Sequence, residues 1–353
     1  DLPLDYIYYL QLATGVTSIG PAEQNRVQDQ LEPERNNEII APRLFPIYSW
    51  GSKTDFDNDF LMNPENADRV AKTMIRNGVR QVYLNGLCWN PVMFGAAAKS
   101  IESAGGITAV HIQPSSTSQV NALDAALLHE IEALALDCAD DPPGAVVVTG
   151  AGRMFAAGAE LAGFADPDLR PIQADAFRSA FAAFERIPCP TIAAVNGLAL
   201  GGGAELAWCC DLRILGERSV FGQPEVLLGI IPGGGATQRL TRLVGRSTAK
   251  RLIWGGAQVD ASEALRLGLA DEVVPDDGLL ERALALAAGY ADGPRVAIRA
   301  AKRAIDEGLR LSLDAGVDLE LDLFMEVFET DDARHGVESF FEHGPGRATF
   351  RGC

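Results

Sequence analysis

Short, uninterrupted apolar runs alternate with longer stretches of helical periodicity in the second part of the chain. A short apolar run bounded by turn residues is typical of a strand in a parallel sheet that is covered on both faces. The predicted strands are residues 107–112, 145–149, 191–195 and 212–215.

Apolar positions that recur every three or four residues predict amphipathic helices between and after these strands. In residues 125–136, for example, Leu127, Leu128 and Ile131 fall on one helical face. Strand–helix units come first and a helical region comes last, which predicts an α/β fold. The predicted helices are residues 125–136, 177–186, 204–209, 236–244, 248–253, 261–267, 279–291, 295–308 and 312–329. Residues 332–336 are predicted to form a turn between helices.

The amino-acid usage changes near residue 105, from Asn, Asp, Tyr and Pro to Ala, Gly and Leu. Residues 106–353 have the length of one complete α/β domain, and residues 1–105 are predicted to be an extension, to which we assign no role. Inside the extension, a helix at 67–77, a strand at 79–84 and a helix at 92–104 are predicted. With the strand that follows, they form one strand–helix–strand unit, so the extension is also α/β.

Composition and charge exclude several classes of protein. With 47% hydrophobic and 22% charged residues among 353, the chain has enough apolar residues for a core. Lys and Arg total 30 against 48 acidic residues, a net charge of −18. Nucleic acids and anionic membranes need clustered positive charge, so neither is expected as a partner. No apolar run approaches the roughly 20 residues of a membrane span.

Neither the cysteines nor the acidic residues of the sequence have the spacing of a metal site. The 6 cysteines are scattered and contain no C-x-x-C pair, which favours a reducing, cytoplasmic location. Asp55, Asp57 and Asp59 match the start of a calcium loop, but Phe60 and Asn66 stand where that loop needs Gly and Glu. No metal is therefore expected.

Three glycine-rich segments are candidates for chemistry. In residues 149–158, a dinucleotide fingerprint would need its third glycine at Phe155, so we do not expect a Rossmann site. Glu205 follows Gly201-Gly202-Gly203 in an apolar context, and Glu225 precedes an apolar run that ends at Gly233-Gly234-Gly235. Each glutamate is either a surface residue near a helix start or a member of a buried acid/base pair, and the apolar neighbours favour the pair.

Two segments carry a family resemblance. Residues 193–211, which begin Ala193-Ala194-Val195-Asn196-Gly197, and residues 221–239 resemble the enoyl-CoA hydratase (crotonase) superfamily. The resemblance covers residues 106–353 and is greatest to the hydratases, which carry both glutamates. It implies a core of repeated strand–strand–helix units in a spiral, with a helical C-terminal region that forms a homotrimer or a hexamer. The apolar faces of the last helices agree with such an assembly (Leu319, Leu323, Val327 and Phe328).

The resemblance also implies a reaction and its residues. The backbone N–H groups of Ala159 and Gly202 would form an oxyanion hole for the thioester oxygen. Glu205 would act as the base on a water, Glu225 would supply a proton to Cα, and Gly233 would help to seat the water or the acyl end. The product would be a 3-hydroxyacyl-CoA formed by syn addition to a trans-2-enoyl-CoA. No metal or redox cofactor is implied, and coenzyme A enters as part of the substrate.

Coenzyme A contacts are expected from Arg153 and from the tail residues Phe350 and Arg351, which would reach a neighbouring subunit. The chain departs from the family at Ser118 and Ala162, where basic residues are common, and at residues 343–346. Residues 161–177 are expected to line the acyl pocket. Alternatives are another reaction of the superfamily on an acyl-CoA (isomerisation, thioester hydrolysis or decarboxylation) and a non-catalytic scaffold subunit.

Overall fold

The computed structural model describes residues 121–352 and three strands before them, Tyr48–Trp50, Gln81–Leu84 and Ile107–Ile112. The helices predicted at 67–77 and 92–104, the acidic loop at 55–59 and Ser118 lie outside the described residues.

The described residues form thirteen strands. They are β1 (Tyr48–Trp50), β2 (Gln81–Leu84), β3 (Ile107–Ile112), β4 (Ala122–Leu123), β5 (Val146–Gly150), β6 (Met154–Ala156), β7 (Gly158–Ala159), β8 (Thr191–Val195), β9 (Leu198–Leu200), β10 (Leu212–Gly216), β11 (Val220–Gly222), β12 (Gln258–Asp260) and β13 (Glu272–Val274).

The largest sheet has seven parallel strands in the order β1-β2-β3-β5-β8-β10-β13. Strand β2 pairs in parallel with β3, as the predicted strand–helix–strand unit requires, so strands of the extension continue the sheet of the following domain. A second sheet has the order β12-β11-β9-β6, and β4 pairs with β7. The short strands of these two smaller sheets carry no periodic apolar signal, and the sequence analysis did not predict them.

Helices follow the strands, and the last part of the chain is helical. They are α1 (Ala125–Asp140), α2 (Leu161–Ala165), α3 (Arg170–Phe184), α4 (Gly202–Ala207), α5 (Ala236–Gly255), α6 (Ala261–Leu267), α7 (Leu279–Ala291), α8 (Arg295–Gly308), α9 (Leu313–Phe328) and α10 (Asp331–His343). Helix α5 is interrupted at Gly245, whose φ of 77° is not helical. It therefore consists of two helical segments, which correspond to the helices predicted at 236–244 and 248–253.

The turn predicted at residues 332–336 is wrong, because these residues form the first turns of α10. Thr330 caps this helix by accepting a hydrogen bond from Ala333 N at 3.1 Å. Gly336, within this segment, lies where the helix meets the C-terminal tail. A Cβ there would lie 3.3 Å from the ring of Phe350.

The central strands are buried on both faces, as their apolar runs predicted. Val147 and Ile192 face α7, where they contact a layer that includes Leu284, whereas Val146 and Val148 belong to the larger core beneath α1 and α3. Helix α8 is tied to this sheet by Lys302, whose Nζ donates to Asp211 Oδ2 at 2.7 Å. Among the described residues, no helix is both long and apolar enough to cross a membrane.

Candidate active site

Glu205 is a buried carboxylate held by backbone N–H groups from another segment. It lies in α4 and is 2% exposed. Oε2 accepts a hydrogen bond from Gly234 N at 3.0 Å, and Oε1 accepts one from Ala236 N at 2.8 Å. Since Ala236 is the first residue of α5, the carboxylate occupies the N-terminus of that helix.

Two opposing effects set the protonation of this carboxyl group. Burial raises the pKa of Glu205 to about 7, and the negative charge of Glu225 adds to the rise. The N–H groups of Ala236 and Gly234 and the positive charge of Arg239 oppose it. Glu205 therefore exchanges its proton near neutral pH, as a general base requires.

Glu225 lies close to the start of the helix that carries Glu205. It begins a short 3-10 helix, Glu225–Leu228, directly after β11. Its Oε1 lies 2.9 Å from the position that a Cβ on Gly201 would take, and its Oε2 is buried without a hydrogen-bond partner. Burial raises the pKa of Glu225, which favours the protonated form.

The turn before α4 depends on glycine. Gly201 is the N-cap of α4 with φ 51°, a left-handed conformation that residues with a Cβ rarely adopt. Gly202 is the first residue of α4, so its N–H has no partner within the helix. A Cβ on Gly158 would lie 3.5 Å from Gly202 N, which shows how closely β7 approaches this turn.

The N–H of Ala159 points away from the strand that pairs with it. Glu160 N donates to Leu123 O at 3.1 Å, and consecutive N–H groups of a strand point to opposite sides. Gly202 thus lies where β7, which contains Ala159, approaches the start of α4, and Glu225 is close enough to influence Glu205 of the same helix.

An asparagine orders the loop that carries Arg153. Asn196 Nδ2 donates to Gly150 O at 2.7 Å and to Gly152 O at 3.0 Å. Gly150 N donates back to Asn196 Oδ1 at 3.0 Å. Arg153 is exposed in this loop. This role of Asn196 was not predicted from the sequence, where its position directly after β8 was the available signal.

Gly233 lies in the loop before α5, is exposed, and has open space around it, because an added Cβ would meet no atom within 4 Å.

The tail residues Phe350 and Arg351 lie elsewhere, against α10. Arg351 N donates to Asp332 Oδ1 at 2.9 Å and Gly352 N to Asp332 Oδ2 at 2.7 Å. Asp332 is 4% exposed, and its role was missed because residues 332–336 were predicted to be a turn.

An aromatic row follows α3 from the expected acyl pocket to the two glutamates. The ring centroids of Phe164 and Phe177 are 6.2 Å apart, and those of Phe177 and Phe181 are 5.4 Å apart. A Cβ on Gly202 would lie 2.7 Å from the ring of Phe177, and one on Gly234 would lie 2.7 Å from that of Phe181. An apolar wall therefore borders the carboxylates.

Comparison with known proteins agrees with this geometry. A sequence model of the enoyl-CoA hydratase/isomerase family matches residues 102–349. The chain belongs to this family. The match begins near the predicted boundary, so most of the extension lies outside it.

Curated relatives and a solved structure cover the same part of the chain. The 2,3-dehydroadipyl-CoA hydratase of Escherichia coli is 41% identical over 222 residues, 63% of this chain and 86% of that protein. The crotonyl-CoA hydratase of Syntrophomonas wolfei is 40% identical over 229 residues, 63% of this chain and 87% of that protein. An enoyl-CoA hydratase from Bacillus anthracis has a TM-score of 0.64 at 37% identity, over 67% of this chain and 92% of that one. The fold is the crotonase fold, with the helical C-terminal region that the resemblance implied.

Proposed function

We propose that this enzyme is a hydratase that adds water to a trans-2-enoyl-CoA and releases a 3-hydroxyacyl-CoA. The observation that carries the proposal is the pair of glutamates at one glycine-rich turn, both with a raised pKa. Similarity to hydratases named for crotonyl-CoA and 2,3-dehydroadipyl-CoA supports the same reaction class.

The backbone of Ala159 and Gly202 supplies the oxyanion hole in this scheme. Both N–H groups lie where β7 approaches the start of α4, and each is directed away from its own element's hydrogen bonds. They bind the thioester oxygen as water adds to Cβ of the substrate and negative charge develops on the enolate. A single donor of this kind is worth roughly 10²–10³ in rate.

The two glutamates divide the proton transfers. Glu205 accepts two backbone N–H groups, which favour its ionised form, so it removes the proton from water. Glu225 has a buried oxygen without a partner, which suits a protonated carboxyl that delivers its proton to Cα. Because both carboxyl groups lie at one turn, the two new bonds form on the same face of the substrate, which gives syn addition.

Coenzyme A is held in the proposal by Arg153, Phe350 and Arg351, and Gly233 leaves room for the water or the acyl end. Arg153 is exposed at the loop ordered by Asn196, where a phosphate can reach it. No step of the scheme needs a metal or a redox cofactor.

The oligomeric state proposed is a homotrimer or a hexamer. Helix α9 and helix α10 expose a large apolar surface, although Leu323, which the sequence analysis included in it, is buried within the chain. The exposed residues of this C-terminal apolar face are Leu313, Val317, Leu321, Phe324, Met325, Phe328, Val337, Phe340 and Phe341. A reducing, cytoplasmic location is proposed because Cys209 and Cys210 are buried free thiols.

The test is the hydration of crotonyl-CoA, followed as loss of the ultraviolet absorbance of the conjugated thioester. The full chain should turn over this substrate, and the Glu205→Gln/Glu225→Gln double variant should not. Product analysis distinguishes the alternatives, because 3-hydroxybutyryl-CoA supports the proposal. Release of free coenzyme A, formation of a 3-enoyl isomer, or silence across several chain lengths would contradict it.

A further inference from the structure

Arg239 and Glu185 each occupy a helix end that disfavours their charge. Arg239 lies in the first turn of α5, where the positive end of the helix dipole repels a cation. Glu185 is the C-cap of α3, where the negative end repels an anion. A charge at an unfavourable helix end indicates that another interaction outweighs the helix dipole at that position.

That interaction is a bidentate ion pair between the two residues. Arg239 Nε donates to Glu185 Oε1 and Nη2 donates to Glu185 Oε2, both at 3.1 Å. The side chain of Arg239 is 17% exposed and that of Glu185 is 35% exposed. A fork of this kind fixes the plane of the guanidinium group as well as its position.

The remaining guanidinium nitrogen holds the loop that binds Glu205. Arg239 Nη1 donates to Gly234 O at 2.7 Å. The peptide bond between Gly234 and Gly235 lies between the two peptides whose N–H groups bind Glu205. Fixing its carbonyl therefore fixes the orientation of both donors.

The backbone of this loop is adapted to the same contact. Gly235 has φ 113°, and a Cβ there would clash with Arg239 Nη1. The glycine thus allows the guanidinium group to reach the carbonyl one residue before it. This role of Arg239 could not be predicted from the sequence, because it requires Glu185, which is far away along the chain.

We infer that Arg239, anchored by Glu185, is a positioning residue for the general base Glu205: it orients the two N–H groups that hold the carboxylate. The inference rests on the proposed function. Arg239 does not touch the substrate in this scheme and acts through the loop at residues 234–236.

Other charged groups around Glu205 set the direction of the effect. Glu225 raises the pKa of Glu205, and Arg239 lowers it. Cys209, which follows the C-cap of α4, has a pKa raised well above its usual value by burial, so its thiol is neutral. Glu185 is paired with Arg239, and Arg310 Nη2 lies 3.8 Å from Glu185 Oε2. Removing the charge of Arg239 and loosening its loop therefore both raise the pKa of Glu205.

The experiment compares Arg239→Met and Arg239→Lys with Arg242→Met. Arg242 is an exposed arginine of the same helix that bonds within its own turn to Gln238, so its variant is matched in charge and helix position. In Arg239→Met, kcat for crotonyl-CoA should fall roughly 10- to 100-fold with little change in KM, as expected for a misplaced catalytic group. The acidic limb of kcat/KM, which we expect near pH 7 in the wild type, should move to higher pH.

Arg239→Lys keeps the positive charge but cannot form the bidentate pair. Compared with Arg239→Met, it should have a higher kcat and an acidic limb of kcat/KM closer to that of the wild type. Arg242→Met should keep the wild-type profile. If Arg239→Met lowers kcat or thermal stability while the limb stays at its wild-type pH, the role is merely structural and the inference is wrong. If Arg239→Met does not fold, the same comparison is made between Arg239→Lys and the wild type, and an unmoved limb with full kcat overturns the inference.

The part of Glu185 is tested by a double-mutant cycle. Since Glu185 acts through Arg239, Glu185→Gln should lower kcat in the wild type and have little effect in Arg239→Met. If the losses of kcat in the two single variants multiply in the double variant, Glu185 does not act through Arg239.

A readout without turnover separates this inference from the proposed function. Infrared titration of the Glu205 carboxyl group, assigned by its loss in Glu205→Gln, should show a higher pKa in Arg239→Met than in Arg242→Met. This shift is measurable even if the wild type hydrates no enoyl-CoA, a result that would contradict the proposed function alone. An unchanged carboxyl pKa would contradict the inference alone.

Discussion

The carboxylate of Glu205 caps the helix that begins at Ala236, with 2.8 Å between Glu205 Oε1 and Ala236 N. The N-cap of this helix is Gly235, which has no side chain to accept that hydrogen bond. The cap therefore comes from a residue about thirty positions earlier, and one carboxylate serves both the fold and the proposed chemistry. The helix N-terminus favours its ionised form, whereas burial favours its protonated form.

Single replacements of the two glutamates should abolish most of the activity. Glu205→Gln and Glu225→Gln keep the side-chain shape and remove the proton transfer, so each should lower kcat roughly 10²–10⁴-fold. KM should change little, because the proposed oxyanion donors and coenzyme A contacts are unaltered. Steady-state kinetics with crotonyl-CoA measures both parameters.

The double replacement should lower kcat little more than one replacement, since both groups act on the same water. If Glu205→Gln keeps full turnover while Glu225→Gln abolishes it, a reaction with a single carboxylate fits better. Full activity in both variants would leave the two carboxylates with a structural role.

The pH dependence of activity should report the ionisation of Glu205. The pKa of Glu205 is about 7, and the base must be ionised, so kcat/KM should fall as the pH drops below that value. Glu225 raises the pKa of Glu205, so the residual activity of Glu225→Gln should have its acidic limb at lower pH. A limb that stays in place or moves to higher pH would show that Glu205 is not the group that titrates.

Gly234→Ala and Gly233→Ala should differ although the two residues are adjacent. A Cβ on Gly234 would lie 2.5 Å from Glu205 Oε2 and 2.7 Å from Phe181, so this variant should lose stability by roughly 1–3 kcal/mol and most of its activity. A Cβ on Gly233 would meet no atom within 4 Å, so Gly233→Ala should keep its thermal stability. Its kcat/KM for crotonyl-CoA should change, because the methyl group would enter the space proposed for the water or the acyl end. Equal melting temperatures for both variants would contradict the geometry of the loop.

Asp332 should control coenzyme A affinity through the tail. Its two oxygens accept N–H groups from Arg351 and Gly352, and Asn would direct an amide N–H toward one of them. We expect KM for crotonyl-CoA to rise roughly 10-fold, equivalent to about 1.4 kcal/mol, with kcat kept. Asp331→Asn is the matched control, because the side chain of Asp331 is exposed and pairs with Arg334. Equal KM values in both variants would show that the tail does not bind coenzyme A.

A charge on the C-terminal apolar face should dissociate the proposed oligomer. Phe324 on α9 is 56% exposed, and Glu at this position would place a charge in an apolar interface. Leu136 on α1 is also 56% exposed, so Leu136→Glu is a matched control outside that face. Light scattering should give a trimer or hexamer for the wild type and Leu136→Glu, and a smaller species for Phe324→Glu. A wild-type monomer at micromolar concentration would contradict the proposal.

Local patterns in the sequence predicted much of the fold and part of the site. The strand at Thr191–Val195 and the helices Ala261–Leu267, Leu279–Ala291 and Arg295–Gly308 occur at the predicted positions. Each is specified by its own apolar period and by Gly or Pro at its ends, which are properties of neighbouring residues. Glu205 and Glu225 could be found for a similar reason, since each is a single charge in an apolar, glycine-rich segment.

Tertiary structure alone decided what these residues contact. The donors to Glu205 come from Gly234 and Ala236, Arg239 is anchored by Glu185, and the tail at Arg351 and Gly352 binds Asp332. None of these pairs shares a periodic pattern, because their partners are separated along the chain and one member is often a backbone N–H, which every residue except proline carries. The sequence thus determined which side chains could do chemistry. Folding decided which backbone groups surround them. Burial and hydrogen bonds from distant segments then set the charge that each carboxyl group bears.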